Sequence, residues 1–256
     1  MRIVGHGTED RLVSAAVEGQ EGRNLVPSVD SSFGLGTLPF LLSVIAGATD
    51  VISFLGLDGL FTAHITGNLV ILASHIVRGG AAPLAPMLSV PIFMIGLGLA
   101  RLFVAGLEAI GVASLRPLLL LQFFLLLGFL ALCLAAGPRL DANAAIAIVA
   151  AMLGVSAMAV QNAMVHTSLK GAPSTAVMTT NITILTIDIG NMLVADPNDM
   201  VKARSRARHT WPAVIGFAVG CTLGASCQMI VGLRSLALPA GLALLALALV
   251  RVGPQR

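Results

Sequence analysis

The sequence predicts an all-α integral membrane protein of about eight transmembrane helices built from two repeats, with six crossings plus two re-entrant helices as the alternative. Three observations lead there. Of 256 residues, 57% are hydrophobic and 11% charged, and the mean hydropathy is +0.94, whereas soluble domains carry about 25% charged residues. Apolar segments follow one another at lengths that suit a hydrocarbon core of about 30 Å. A polar motif also recurs at a fixed offset inside two of those segments.

Residues 1–33 are polar, with Arg2, Glu9, Asp10, Arg11, Glu18, Glu21, Arg23 and Asp30. No uninterrupted apolar run precedes a small-residue cleavage site, so they read as a disordered cytoplasmic tail and not a secretory signal. The segments beyond lie at about 36–56, 60–78, 86–112, 117–136, 144–167, 173–194, 209–232 and 235–252. Breaks fall at turn formers: Gly56/Asp58/Gly59, Gly79-Gly80/Pro83, Arg116-Pro117, Gly137-Pro138, Gly171/Pro173 and Asp196-Pro197. The first membrane repeat is expected over 34–140 and the second over 141–253. The hydrophilic connection Asp196 to His209, with Lys202, Arg204, Arg206 and Arg208, reads as a solvated cytoplasmic loop near anionic lipid.

Cation placement sets orientation but not the number of crossings. With eight crossings, Arg2, Arg11, Arg23, Arg78, Arg139, Lys202, Arg204, Arg206, Arg208, Arg251 and Arg256 share the N-terminal side, against Arg116, Lys170 and Arg234. With six, Arg116 and Lys170 exchange sides with Arg78 and Arg139, and the balance is unchanged. Both termini are cytoplasmic either way. Segments 60–78 and 173–194 are long enough to span as helices, which favours eight crossings.

The repeat has an offset of 113: Ile65-Thr66-Gly67-Asn68 lies over Met178-Thr179-Thr180-Asn181, and His75 over Asp188. Allowing one gap, Gly47-Ala48-Thr49-Asp50 lies over Ala159-Val160-Gln161-Asn162. The runs Ala46-Gly47-Ala48-Thr49-Asp50 and Phe61-Thr62-Ala63-His64-Ile65-Thr66-Gly67-Asn68 resemble the YoaK-like multi-pass bacterial inner-membrane proteins of unknown function. Gln161-Asn162-Ala163 and Thr179-Thr180-Asn181 stand where that family has its second pair of motifs, with Thr180 in place of a usual Gly. The resemblance covers about 36–252. It implies a bacterial inner-membrane protein, often guessed to be a transporter.

Polar groups at membrane depth need a protein partner or a wet cavity, because hydrocarbon supplies neither. On a helix over 60–78, His64, Asn68, Ile71 and His75 share a face. A histidine and an amide one turn apart can coordinate a ligand, carry a proton or bind a neighbouring helix. Thr66 and Asn68 read equally as interhelical glue, while Gly47 and Gly67 read as helix-packing positions. Asn181, Asp188 and Asn191 share a face of the sixth segment. A charge at the bilayer centre costs about 2.5–3.5 kcal/mol on insertion scales. Arg101 is therefore expected to face the bundle interior and pair with Asp50, Asp188 or Glu108, although Glu108 is about 10 Å along the helix axis and too far for direct contact. Gln161 and Asn162 read as repeat partners of Asp50.

These residues define a candidate substrate or ion pathway: Asp50, His64, Thr66, Asn68, Arg101, Gln161, Asn162, Thr179, Asn181 and Asp188. The expected function is a secondary transporter or permease for a small polar or ionic solute; the alternative is a non-transporting scaffold, sensor or assembly protein. Membrane lipids are the expected surroundings, and a homo-oligomer is compatible with the sequence. No nucleophile elbow, Walker motif or dinucleotide fingerprint is present, so no enzyme, cofactor or catalytic residue is expected. Cys221 and Cys227 diverge around a helix and do not suggest a metal site. The net charge of +3 comes without Tyr or a basic patch interleaved with aromatics, which argues against nucleic acid.

Overall fold

A computed structural model of the chain describes residues 34–79, 83–137, 140–194 and 196–250; the expected tail, residues 1–33, lies outside them. The regular structure among the described residues is helical. It comprises α1 (Gly34–Gly56), α2 (Ile65–Val77), α3 (Leu84–Ala109), α4 (Leu115–Ala136), α5 (Ala145–Thr167), α6 (Met178–Val194), α7 (Pro197–Val231), a 3-10 turn (Gly232–Leu236) and α8 (Ala237–Leu249). Glycines in the left-handed region close α3 and α4 at Gly111 (φ 72°) and Gly137 (φ 84°), conformations that a side chain resists.

Five stretches are long and apolar enough to cross a membrane: Gly36–Gly56, Leu84–Ala109, Leu115–Ala136, Ala145–Thr167 and Asp199–Leu249, the last containing both α7 and α8. The chain is a helical, multi-pass type of membrane protein. Helices α2 and α6 differ from the spans expected over 60–78 and 173–194. They have 13 and 17 residues, about 20 and 25 Å at 1.5 Å per residue, and each follows a non-helical stretch that is packed into the bundle.

Two buried clusters mark the ends of that bundle. One gathers Leu38 and Leu42 of α1 with Val104 of α3, Leu118 of α4, Met164 of α5 and Ala246 of α8. The other gathers Ile52 and Leu57 with Ala85, Phe129, Ala147 and Leu236. Thus α1 and α4 run one way, while α3, α5 and α8 run the other. The chain leaves α1 and begins α3 at the same end, and leaves α5 and begins the apolar part of α7 at the opposite one.

The tightest seam joins α1 to α7, which lie parallel. Gly216, Gly220 and Gly224 recur every four residues and face Phe40, Val44 and Ala48 of α1. A Cβ at Gly216 would lie 2.5 Å from the Phe40 carbonyl oxygen, and one at Gly220 would fall on the Val44 backbone. Gly47 returns the contact, facing Phe217 and Cys221. Small residues let backbones approach where lipid gives no hydrophobic drive for association.

The charged run Lys202–Arg208 is helical, not the expected loop. It belongs to the 35-residue α7. Pro197 opens α7 where its missing N–H is unneeded, Asp199 lies in the first turn, and Lys202 Nζ donates to Asp199 at 3.1 Å. Pro212 stands between this stretch and the apolar residues beyond it, and α7 continues through it without a break.

Gly220→Val is expected to open the α1–α7 seam and destabilise the protein by roughly 1–3 kcal/mol, the range for overpacking. Gly98, where an added Cβ meets nothing within 4 Å, is the control. Thermal unfolding in detergent should show a lowered midpoint for Gly220→Val and none for Gly98→Ala.

Candidate functional site

Asp50 stands on α1 six residues before its end, about 9 Å inside it. Beyond Gly56 the chain turns through Asp58 (φ 54°) and Gly59 (φ 87°) and folds back along the helix it has just left. The amides of Thr62 and Ala63 then donate to Asp50 Oδ1 at 2.8 and 2.6 Å, and the Thr62 hydroxyl donates to the same oxygen at 3.0 Å. His64 Nδ1 lies 2.6 Å from Asp50 Oδ2. An ionised carboxylate only accepts, so Nδ1 carries the proton and Nε2 is the free nitrogen of the neutral ring. The Asp50 side chain is 4% exposed and that of His64 36%, so the carboxylate is sealed and the imidazole is its outward edge. Phe61 and Phe217 flank the ring, Phe217 edge-on at a centroid distance of 5.2 Å.

His64 is therefore not on a face of α2. It precedes the first turn with φ −86° and ψ 62°, because Asp50 holds its two neighbours in a non-helical conformation. A carboxylate at this place also meets the positive end of α2. Asn68, buried in the first turn, accepts from the Phe61 amide at 2.9 Å and donates to the Phe61 carbonyl at 2.7 Å and to Ser89 of α3 at 2.8 Å. Gly67 makes room for the ring of Phe61, which would lie 2.9 Å from an added Cβ; its neighbour is thus the preceding loop and not another helix.

A second constellation holds the stretch before α6. Gln161 of α5 donates through Nε2 to Thr175 Oγ1 at 2.8 Å and to the Leu42 carbonyl at 2.9 Å, and its Oε1 accepts from Gln122 of α4 at 2.6 Å. Asn181 Nδ2 donates to the Ser174 carbonyl, seven residues back, as Asn68 does to Phe61. Leu42 and Asp50 are eight residues apart on α1, about 12 Å. The two constellations therefore flank the middle of α1 and do not share one cavity.

Other residues of the expected pathway stand apart from both. Thr66 and Thr179 are exposed. Asn162 donates to the Met158 carbonyl of its own helix. Arg101 does not face the interior: its side chain is 56% exposed and its Nη1 lies 3.6 Å from Glu108. The axial separation that argued against this pair is spanned by two long side chains, with the guanidinium reaching toward the end of α3. Asp188 is buried and takes two bonds on Oδ1 from Arg206, from Nε at 3.0 Å and Nη2 at 2.6 Å. That hydrogen-bonded partner raises the Arg206 pKa above its already high ordinary value.

Thr62, Ser89, Gln122, Thr175 and Arg206 are the interacting residues that sequence reasoning missed. Two of them carried a signal. Thr62-Ala63 lies over Thr175-Ala176 at the same offset of 113 that relates Asn68 to Asn181. Among the described residues, no group of His, Cys, Asp and Glu is arranged to hold a metal ion.

Comparison with known proteins places the chain in a family: residues 38–249 match DUF1275, described as a protein of unknown function, and the chain belongs to it. No curated protein and no solved structure matches.

Asp50→Ala leaves two buried amides without an acceptor and is expected to destabilise the fold by on the order of 3 kcal/mol. Asp50→Asn keeps an acceptor for them and is expected to lose less than half as much. Chemical denaturation in mild detergent, read by helical circular dichroism, checks the ordering. Equal losses would show that the amides do not depend on this oxygen.

Proposed function

We propose that this member of a family without an assigned activity is a bacterial inner-membrane permease for a small polar or ionic solute, with Asp50 and His64 as its ion- or proton-responsive pair. Six helices cross in this reading: α1, α3, α4, α5, α7 and α8. The chain leaves α1 and begins α3 at one end of the bundle, and leaves α5 and begins the apolar part of α7 at the other. The halves then form inverted repeats, α1–α4 and α5–α8. The paired bonds Asn68 to Phe61 and Asn181 to Ser174 support that duplication. Arg116, Lys170 and Lys202–Arg208 fall at the end where α1 begins, and Arg78 and Arg234 at the other, so both termini are cytoplasmic.

The observation that carries the reading is the sealed carboxylate with a histidine as its exposed edge, at the start of a short helix. Irregular backbone at membrane depth is tolerated where protein buries it or water lines it, and broken helices of this kind place helix ends at solute sites in transporters. Histidine suits coupling because its ordinary pKa is about 6.5. His64 passes a proton outward through Nε2 while Nδ1 stays on Asp50.

The second reading, a non-transporting scaffold, is favoured by one observation. Asn68, Asn181 and Gln161 bond to neighbouring backbone or side chains of the bundle, as interhelical glue does.

Proteoliposomes containing a pH-sensitive dye separate the two. Under an imposed membrane potential and a panel of small polar solutes, the permease acidifies or alkalinises the lumen in response to at least one solute. His64→Ala and Asp50→Asn, checked for retained fold, should fall to the protein-free baseline. Wild-type flux in both variants removes the pair from the mechanism; no response to any solute favours the scaffold.

A further inference from the structure

The cytoplasmic third of α7 carries a feature that the Asp50 constellation does not use. Val201, Arg204, Ser205, Arg208 and His209 line an open groove of about 490 Å³. Arg204, Ser205 and Arg208 are exposed. The neighbouring cations are engaged elsewhere, Arg206 with Asp188 and Lys202 with Asp199. Among the described residues, no carboxylate forms an ion pair with Arg204 or Arg208. The groove therefore presents two unneutralised guanidinium groups, a hydroxyl and an imidazole.

Its depth is fixed by Trp211, the one Trp in the chain. Trp favours the membrane interface, and here its side chain is exposed at 48% where the charged part of α7 gives way to the apolar part. Arg208 lies three residues before it and Arg204 seven, about 4.5 and 10 Å along the axis. The headgroup layer on each face of a bilayer is roughly 5–8 Å deep. Positions 204, 208 and 211 also share one helical face. Arg208 thus falls within the headgroup layer, and Arg204, one turn further out, reaches it through its long side chain.

We propose that this groove is a binding site for the phosphodiester of an anionic phospholipid, with Arg204 and Arg208 as the phosphate ligands, Ser205 and His209 as flanking donors and Trp211 beside the upper acyl chain. Guanidinium suits the task because its planar fork matches two phosphate oxygens. The site rests on the membrane-spanning reading of α7 and not on transport.

Trp211 is also the reporter. The full chain is placed in phosphatidylcholine nanodiscs containing equal mole fractions of either brominated phosphatidylglycerol or brominated phosphatidylcholine, and quenching of its fluorescence is compared. Phosphatidylglycerol should quench preferentially, and Arg208→Gln should reduce that preference about fivefold, the weight of one cation near an anionic surface. Lys202→Gln removes the same charge from the same helix outside the groove and should leave the preference largely intact. Circular dichroism confirms that both variants keep their helices. Equal quenching of the wild type by the two lipids overturns the site. An equal effect of both substitutions reduces it to diffuse charge and also overturns it. Loss of the preference on adding inorganic phosphate would assign the groove to a free anion instead of a lipid.

Discussion

The interaction on which the rest depends is the capture of two backbone amides by a carboxylate inside the bundle. Thr62 and Ala63 leave helical conformation well inside the length of α1, where hydrocarbon offers no water to replace the lost hydrogen bonds. Asp50 supplies both acceptors through one oxygen, and the same oxygen takes the Thr62 hydroxyl. Its second oxygen is left for His64. The short length of α2, the position of His64 outside it and the seal on Asp50 all follow from that arrangement. The carboxylate acts together with the turn at Asp58 and Gly59, the burial of Leu57 and Leu60 and the bonds of Asn68 to Phe61.

The stretch before α6 is held without charge. Gln161 meets Thr175 where Asp50 meets Thr62, and Asn181 holds the Ser174 carbonyl as Asn68 holds that of Phe61. The stretch before α2 is held by a carboxylate that also bonds a histidine, whereas the stretch before α6 is held by neutral amides. The glycine seam between α1 and α7 ties them together, since α1 carries both Asp50 and the Leu42 carbonyl that Gln161 uses.

The membrane class was legible from composition alone, because 27 charged residues cannot clothe a globule of this length. Asn68 and Asn181 were legible as a pair from their offset. So was the need of Asp50 for a partner, since an isolated charge in lipid is expensive. The identity of that partner was not. Backbone amides have no letter in the sequence, and a donor set built from Thr62 and Ala63 looks like part of an apolar run. That hidden contact also made 60–78 read as one helix with His64 on its face. Arg101 misled for a different reason: a long side chain reaches the end of its helix, so its Cα position overstates its burial. The choice between six and eight crossings was beyond charge counting, because exchanging Arg116 and Lys170 for Arg78 and Arg139 leaves the balance unchanged.

The most direct measurement is side-specific labelling of single cysteines in a protein whose Cys133, Cys221 and Cys227 have been replaced. Asp58→Cys precedes the captured loop, Arg78→Cys follows α2, and Val112→Cys lies between α3 and α4. A fold-back held by Asp50 predicts that a membrane-impermeant thiol reagent reaches positions 58 and 78 from one face and position 112 from the other. Labelling of 58 and 78 from opposite faces would mean that α2 crosses the membrane, and would contradict the account.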